Sequence, residues 1–195
     1  HLDPCSTPAC PMKILFLLFS ILLSAVPVSV LAQPAEPDTV ILSDTLDYDD
    51  IKRQSIFNGN VILTRGNLNL HADRVTVNEQ ADGSQHAIAT VQQSPRVLVR
   101  QETPEKYEII KGQSTRAEYH SASEQLTLIG QAVLTRSICG KVIDSIQGER
   151  IIYNKKTDTY QAIGGHSSAN QRVRSVARPR AQIDRAIAEC KQKSQ

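Results

Sequence analysis

Short runs in which apolar and polar residues alternate recur along most of the chain, as at residues 61–64, 74–77 and 125–128. A period of two residues places successive side chains on opposite faces of a β-strand. Turn-forming sequences such as Asn58-Gly59 and Ala81-Asp82-Gly83 separate the runs. Short strands with turns about every 8–12 residues predict an all-β protein, built as a sandwich, a barrel or a roll.

A helical period is found only near the C-terminus. Ile183 and Ile187 lie four residues apart within residues 181–191, a spacing that fits a short helix or a frayed terminus. Residues 181–195 are therefore assigned as a basic C-terminal tail. The arginines of residues 172–195 could meet phosphates or an acidic partner, or could simply be solvated: Arg172, Arg174, Arg178, Arg180 and Arg185.

The two halves of the chain repeat each other. At an offset of 71 residues, Ser43, Tyr48, Gly59, Leu63, Thr64 and Arg65 fall on Ser114, Tyr119, Gly130, Leu134, Thr135 and Arg136. An insertion around residues 138–141 changes the offset to 76, where residues 73–75 match residues 149–151. The repeat predicts two similar β-meander halves, each too small to close a core alone.

Alternation assigns one face of each half to an apolar interior. The positions on this face are Phe57, Gly59, Val61 and Leu63 in the first half, and Leu128, Gly130, Ala132 and Leu134 in the second. A glycine inside a strand indicates a bulge or a bend, so two curved sheets are expected to face each other. Their interior is either a core filled by its own side chains or a groove for acyl chains, since each buried methylene contributes about 0.8 kcal/mol.

The N-terminal region has the pattern of a secretory signal peptide. Met12 and Lys13 precede an apolar run at residues 14–23, and small residues lead to Ala32. The run is shorter than the roughly 20 residues of a transmembrane helix, although a retained anchor is the alternative. We expect residues 1–32 to be a leader cleaved after Ala32, which places the protein in the periplasm. Residues 33–38 form a flexible segment and residues 39–180 the folded domain.

Charge and cysteine content narrow the class of protein. The net charge of +2 arises from 22 basic and 20 acidic residues, so no nucleic-acid partner is predicted. Only Cys139 and Cys190 follow the leader. The periplasm permits a disulfide between them, but the sequence fixes no distance, and two free thiols are the alternative.

No catalytic or metal-binding motif is recognisable in the sequence. The four histidines after the leader are far apart and form no H-x-x-x-H or H-E-x-x-H pair: His71, His86, His120 and His166. No G-x-S-x-G motif occurs, and Cys139 lacks a local catalytic signature. The acidic turn at residues 44–50 does not fit a calcium loop. We therefore expect neither an enzyme nor a resident metal or cofactor.

Four segments together resemble the OstA-like family: residues 57–66, 71–77, 128–134 and 146–153. The similarity spans roughly residues 38–180. It implies a twisted, partly open β-jelly-roll that binds lipopolysaccharide in the periplasm and carries it to the outer membrane. The alternatives are a β-scaffold that binds no lipid and another OstA-like component of the same pathway, which would retain its N-terminal helix.

The resemblance also implies sites and partners. Leu98 and Tyr119 fall where acyl-contacting residues are expected, and Tyr48 joins Tyr119 through the repeat. With the alternation, the predicted lipid-facing set is Ile41, Leu46, Tyr48, Phe57, Val61, Leu63, Leu98, Tyr119, Leu128 and Leu134. Open rolls have edge strands that need covering. The first edge, at Val40, Ile41 and Leu42, is expected to meet an inner-membrane export component. The last edge, at Val173 and Val176, is expected to meet an outer-membrane translocon, and the two edges to join in head-to-tail self-association.

Overall fold

The structure, a computed structural model, describes residues 37–165 and 172–193. The predicted leader, its cleavage after Ala32 and most of the flexible segment at residues 33–38 lie outside the described residues. In the described part of the chain, no helix has both the length and the apolar character needed to cross a membrane.

The alternating runs form strands, as the sequence predicts, and twelve strands and one α-helix occur in the described ranges. The first six strands are β1 (Thr39–Leu42), β2 (Thr45–Asp49), β3 (Gln54–Arg65), β4 (Leu68–Glu79), β5 (Gln85–Thr90) and β6 (Val97–Thr103). A 3₁₀ turn, Pro104–Lys106, precedes β7 (Glu108–Ser114), β8 (Arg116–His120), β9 (Gln125–Ile138), β10 (Lys141–Asn154), β11 (Thr159–Ile163) and β12 (Arg174–Ala177). The helix α1 is Arg180–Lys193.

Each of the four long strands takes part in two layers. The first half of β3 pairs with β2 and its second half with β1. In the same way, β4 divides between β6 and β5, β9 between β8 and β7, and β10 between β12 and β11. Layer I contains β2, β5, β8 and β11 with the half-strands that pair with them, and layer II contains β1, β6, β7 and β12 with the other halves. The predicted twisted, partly open β-jelly-roll is confirmed.

The two predicted halves are also confirmed. Strands β1 to β6 form the first copy and β7 to β12 the second, with β3 and β9 beginning 71 residues apart at Gln54 and Gln125. The copies join through β5–β8 pairing in layer I and β6–β7 pairing in layer II. One buried cluster draws on both layers, including Val61 and Val97 from layer II and Val75 and Leu128 from layer I.

The long strands change layer at bulges. In β3, Gly59 and Asn60 together oppose Asp73, and both have positive φ, +81° and +46°. In β9, Gly130 and Gln131 have φ of +84° and +46° at the matching bulge. A Cβ at Gly130 would overlap the Thr115 hydroxyl, and one at Gly59 would overlap the Asp44 carboxylate. Glycine is therefore required here for both its backbone angle and its lack of a side chain.

Asp73 fixes the adjoining connection between the layers. Its carboxylate accepts the backbone N–H groups of Gln92, Gln93 and Ser94 at 2.6–2.7 Å and the Ser94 hydroxyl at 2.5 Å. The Ser94 hydroxyl, followed by the Gln92 N–H, holds the pKa of Asp73 well below its usual range. This carboxylate anchors the loop in which the chain passes from β5 in layer I to β6 in layer II.

The C-terminal region differs from the frayed, solvated tail considered above. Residues 180–193 form α1, whose Ala186 packs with Ile138 and Ile143 in a second buried cluster. Cys139 and Cys190 form a disulfide with their Cα atoms 5.8 Å apart, inside the usual range for such bonds. Because Ile183 and Ile187 also pack against this cluster, their spacing of four residues marks a helix that is docked on the β-strands.

The bulge predicts a stability difference between two glycine substitutions. Gly130→Ala should lower the free energy of unfolding by about 2–4 kcal/mol, because it combines a strained backbone with a clash. Gly83→Ala is the matched control: Gly83 has φ of +80°, but nothing lies within 4 Å of an added Cβ, so about 1 kcal/mol is expected. Urea unfolding of both variants measures the difference, and equal losses would contradict the role assigned to the bulge.

The disulfide predicts a local loss of structure. Cys190→Ser removes a link across 51 residues, for which chain entropy allows a cost of up to about 4 kcal/mol. Amide hydrogen exchange should become faster throughout α1, while the buried amides of β9 remain protected. A reductant should reproduce this pattern in the unsubstituted protein and add nothing in the variant. Unchanged protection of α1 would show that apolar packing alone holds the helix.

Candidate functional site

An apolar groove runs between the two layers. One section has a volume of about 940 Å³, counting the part open to solvent. Aliphatic side chains line it from both layers, including Leu63, Leu70 and Val99 from layer II, and Val77 and Ala89 from layer I. Since these residues alternate with outward-facing ones along their strands, the same period of two that forms the strands also forms the groove wall.

A second section of about 900 Å³ continues the groove toward the second copy of the repeat. Both sections are lined by Leu68, Val99, Tyr119 and Leu126, so they form one passage. The first section is mainly aliphatic, whereas polar side chains also line the second, including Arg65, Gln101, Glu124 and Lys155. The first section therefore suits a long hydrocarbon chain better than a compact polar molecule.

Charged groups stand at the mouth of the groove, where the strands of each layer end in turns. Arg65 of layer II and Lys155 beside layer I both line the second section. Lys106 Nζ lies 3.7 Å from Asp158 Oδ2, which connects the β6–β7 turn of layer II with the β10–β11 turn of layer I. Both side chains of this pair are largely exposed, so the bridge contributes little energy and the mouth can open there.

The second copy carries a cluster of charged side chains and a pair of tyrosines. Arg136 Nη1 lies 3.2 Å from Glu108 Oε2, and Arg136 Nε donates to Asp144 Oδ2 at 2.7 Å. On the opposite layer, the rings of Tyr153 and Tyr160 stack with their centroids 4.6 Å apart. Burial, and then the interaction with Tyr153, raises the pKa of Tyr160 above its usual range. The tyrosine pair is therefore uncharged, and the charged groups of this region are those of the Arg136 cluster.

Half of the ten predicted lipid-facing residues line the groove: Ile41, Phe57, Leu63, Tyr119 and Leu134. Val61, Leu63, Leu128 and Leu134 belong to the buried cluster that joins the layers, and Ile41 and Phe57 pack against it. Tyr119 lines both sections of the groove. The wall also contains residues that the sequence analysis did not select: Leu70, Val75, Val77, Ala89, Val99, Ala117 and Leu126.

The prediction for Leu98 is wrong. Leu98 is 46% exposed and pairs with the exposed His71, whereas Val97 and Val99 are buried on the groove side. Residues 97–99 are all apolar, so the sequence pattern allows either Leu98 or its two neighbours to face inward. The pairing of β6 with β4 and β7 makes that choice.

Leu46 and Tyr48 lie on the groove side of β2 but are not covered. Their strand partners are Phe57 and Ser55, both of which line the groove, yet they are 55% and 64% exposed. Their counterpart Tyr119 is covered because β5 and β9 flank β8 on both sides. Strand β2 has β3 as its one strand partner in the described residues, so the groove is open at this end.

The predicted docking edges are edge strands. In the described ranges, β1 pairs with β3 alone and β12 with β10 alone. Val40 and Leu42 of β1 are 54% and 61% exposed, and Val176 of β12 is 44% exposed. Val173, also exposed, immediately precedes β12. Each edge therefore presents apolar side chains beside unpaired backbone groups, the arrangement that favours addition of another strand.

Known proteins share this architecture. "Lipopolysaccharide export system protein LptH" of Pseudomonas aeruginosa is 25% identical over 162 residues, covering 80% of this chain and 83% of that protein. "Lipopolysaccharide export system protein LptA" of Escherichia coli K12 is 26% identical over 165 residues, covering 85% and 84%. The crystal structure of P. aeruginosa LptH, described as the LptA homologous periplasmic component of a lipopolysaccharide transport device, matches with a TM-score of 0.64 at 20% identity, covering 73% of this chain and 96% of that one. It has the same fold.

The family assignment rests on a match through both copies of the repeat. The family model described as "LptA/(LptD N-terminal domain) LPS transport protein" matches residues 40–159, from β1 to the beginning of β11. As the resemblance to OstA-like proteins predicted, the chain belongs to the LptA and LptD N-terminal domain family of lipopolysaccharide transport proteins.

Proposed function

We propose that this protein binds the acyl chains of lipopolysaccharide in its groove and carries the lipid across the periplasm toward the outer membrane. The observation that carries the proposal is a continuous apolar groove, open at the β2 end, in a member of a lipopolysaccharide transport family. Relatives bearing the name of lipopolysaccharide export proteins support it, as does the description of LptH as a periplasmic component. The role is transport and not catalysis.

The groove suits the two parts of such a lipid. Acyl chains would lie against the aliphatic wall, where each buried methylene contributes about 0.8 kcal/mol. Sugars and phosphates would stay at the mouth, where Arg65 and Lys155 stand on opposite sides. Basic groups form charge-assisted hydrogen bonds with phosphate, so the mouth would hold the head group while the tails remain between the layers.

The repeat supports self-association in a definite register. Within one chain, β7 and β8 of the second copy add to β6 and β5 of the first. By the repeat, β12 and β11 are the counterparts of β6 and β5, while β1 and β2 are the counterparts of β7 and β8. A second molecule could therefore add its β1 and β2 to β12 and β11 of the first, and so extend both layers and the groove.

This addition would cover the exposed end of the groove. Ala87 faces Tyr119 across the β5–β8 junction, and the equivalent pair between molecules is Tyr160 with Tyr48. Ala89 faces Ala117, and the equivalent pair is Ala162 with Leu46. The two exposed residues of β2 would thus become part of a continuous wall. The same edges would dock an inner-membrane export component at β1 and an outer-membrane translocon at β12.

Photo-crosslinking tests the lipid-filled groove. A photoreactive residue replacing Val77 or Tyr119, both on the groove wall, should form an adduct with lipopolysaccharide in living cells. Leu98 is the matched apolar control, because it lies on the outer face of layer II. Adducts at the two inner positions and none at Leu98 are expected, with circular dichroism confirming that each variant is folded. Absence of adducts at both inner positions would favour a dry β-scaffold.

Disulfide trapping tests the register between molecules. Arg100 faces Lys111 across β6–β7, and the equivalent pair between molecules is Val176 with Val40. A protein carrying Val40→Cys and Val176→Cys should form a ladder of covalent oligomers on a non-reducing gel. Val40→Cys with Ser175→Cys is the control, because a slip of one residue moves the side chain to the other face. Equal ladders from the two proteins would contradict this register.

A further inference from the structure

Three potential metal ligands meet on the outer face of layer I, where the two copies of the repeat join. His86 of β5 pairs directly with His120 of β8, and their rings stack with centroids 4.0 Å apart and planes 11° apart. Glu118 Oε2 lies 3.4 Å from His86 Nε2. One ligand atom from each of the three side chains lies within 4.8 Å of the others.

The surroundings hold this cluster in place. The side chains of His86 and Glu118 are 23% and 20% exposed, so they have limited freedom while remaining reachable from solvent. Arg116 Nε donates to Glu118 Oε1 at 2.7 Å, which leaves Oε2 directed toward His86. A carboxylate fixed through its second oxygen is the usual outer-shell arrangement of a metal ligand.

We propose that His86, Glu118 and His120 form a binding site for a divalent metal ion such as Zn²⁺. Two imidazole nitrogens and one carboxylate oxygen are a donor set that Zn²⁺ accepts, with water completing a four-coordinate shell. Copper and nickel ions also favour imidazole, whereas Ca²⁺ and Mg²⁺ favour oxygen ligands. The two histidine side chains lie on the face opposite the groove, since the neighbours Ala87 and Tyr119 line the groove wall, and Glu118 also borders the groove.

A bound ion would link the two halves of the fold. His86 belongs to the first copy, and Glu118 and His120 belong to the second. Thr159, Asp47 and Asp49 occupy the equivalent positions at the outer strands β11 and β2, as their strand partners show. Because those positions provide no histidine, the site is specific to the internal β5–β8 junction. This inference is independent of lipid binding and of head-to-tail assembly.

Titration of tag-free mature protein with Zn²⁺, under oxidising conditions that keep the Cys139–Cys190 disulfide intact, tests the site. Isothermal titration calorimetry should show one ion bound per chain. His86→Gln and His120→Gln should each weaken binding by at least about tenfold, and Glu118→Gln should also weaken it. His71→Gln is the matched control, because His71 is exposed on a neighbouring strand, and it should bind as the unsubstituted protein does.

A second measurement needs no variant. Addition of paramagnetic Cu²⁺ to the unsubstituted protein should broaden the amide resonances of residues 86 and 118–120 before those of any other residues. Zn²⁺ should then restore these resonances by competition. Binding that survives both histidine substitutions, broadening centred elsewhere, or no binding of either ion would each overturn the proposal.

Discussion

The fold depends on one backbone constraint, which is the change of layer in the middle of each long strand. At Gly59–Asn60 and Gly130–Gln131, two consecutive residues take positive φ and oppose a single residue of the neighbouring strand. Since β3, β4, β9 and β10 each supply both walls of the groove, these bulges set the direction in which every other strand can pair. The hydrophobic core and the groove are therefore consequences of the same bends, and neither wall can shift without moving the other.

The repeat explains why the two ends of the molecule differ from its middle. Tyr119 and Tyr48 occupy equivalent positions, yet the first is covered and the second is 64% exposed. The difference comes from neighbouring strands and not from the residues themselves, because β8 has two strand partners and β2 has one in the described residues. Exposed apolar groups beside unpaired backbone favour an additional strand, so the internal junction serves as a template for contacts between molecules.

Features with a local cause could be predicted from the sequence, and features with a non-local cause could not. Alternation at residues 61–64 fixes which side chains face inward, and a glycine within a strand indicates a bend. At residues 97–99, three apolar residues in succession do not show which side chains face inward. Only the register of β6 places Leu98 on the outer face. His86 and His120 are far apart in sequence, and they meet because β5 pairs with β8 across the repeat. The spacing of Ile183 and Ile187 indicated the helix α1. The docking of α1 on the strands depends on Ile143 and on the disulfide, which are distant in sequence.

Transport requires a lipid to be held without being trapped, and the wall of this groove meets that requirement. Hydrophobic contact has no direction and scales with the apolar area removed from water, so the proposed acyl chain would be able to slide along aliphatic side chains with little change in free energy. Matching positions of the two copies carry apolar residues, such as Leu63 and Leu134. The Arg136 ion cluster adds charged groups in the second copy, and the Lys106–Asp158 bridge joins turns of the two layers. The two ends of the groove are thus chemically unequal, although the two halves of the fold are equivalent.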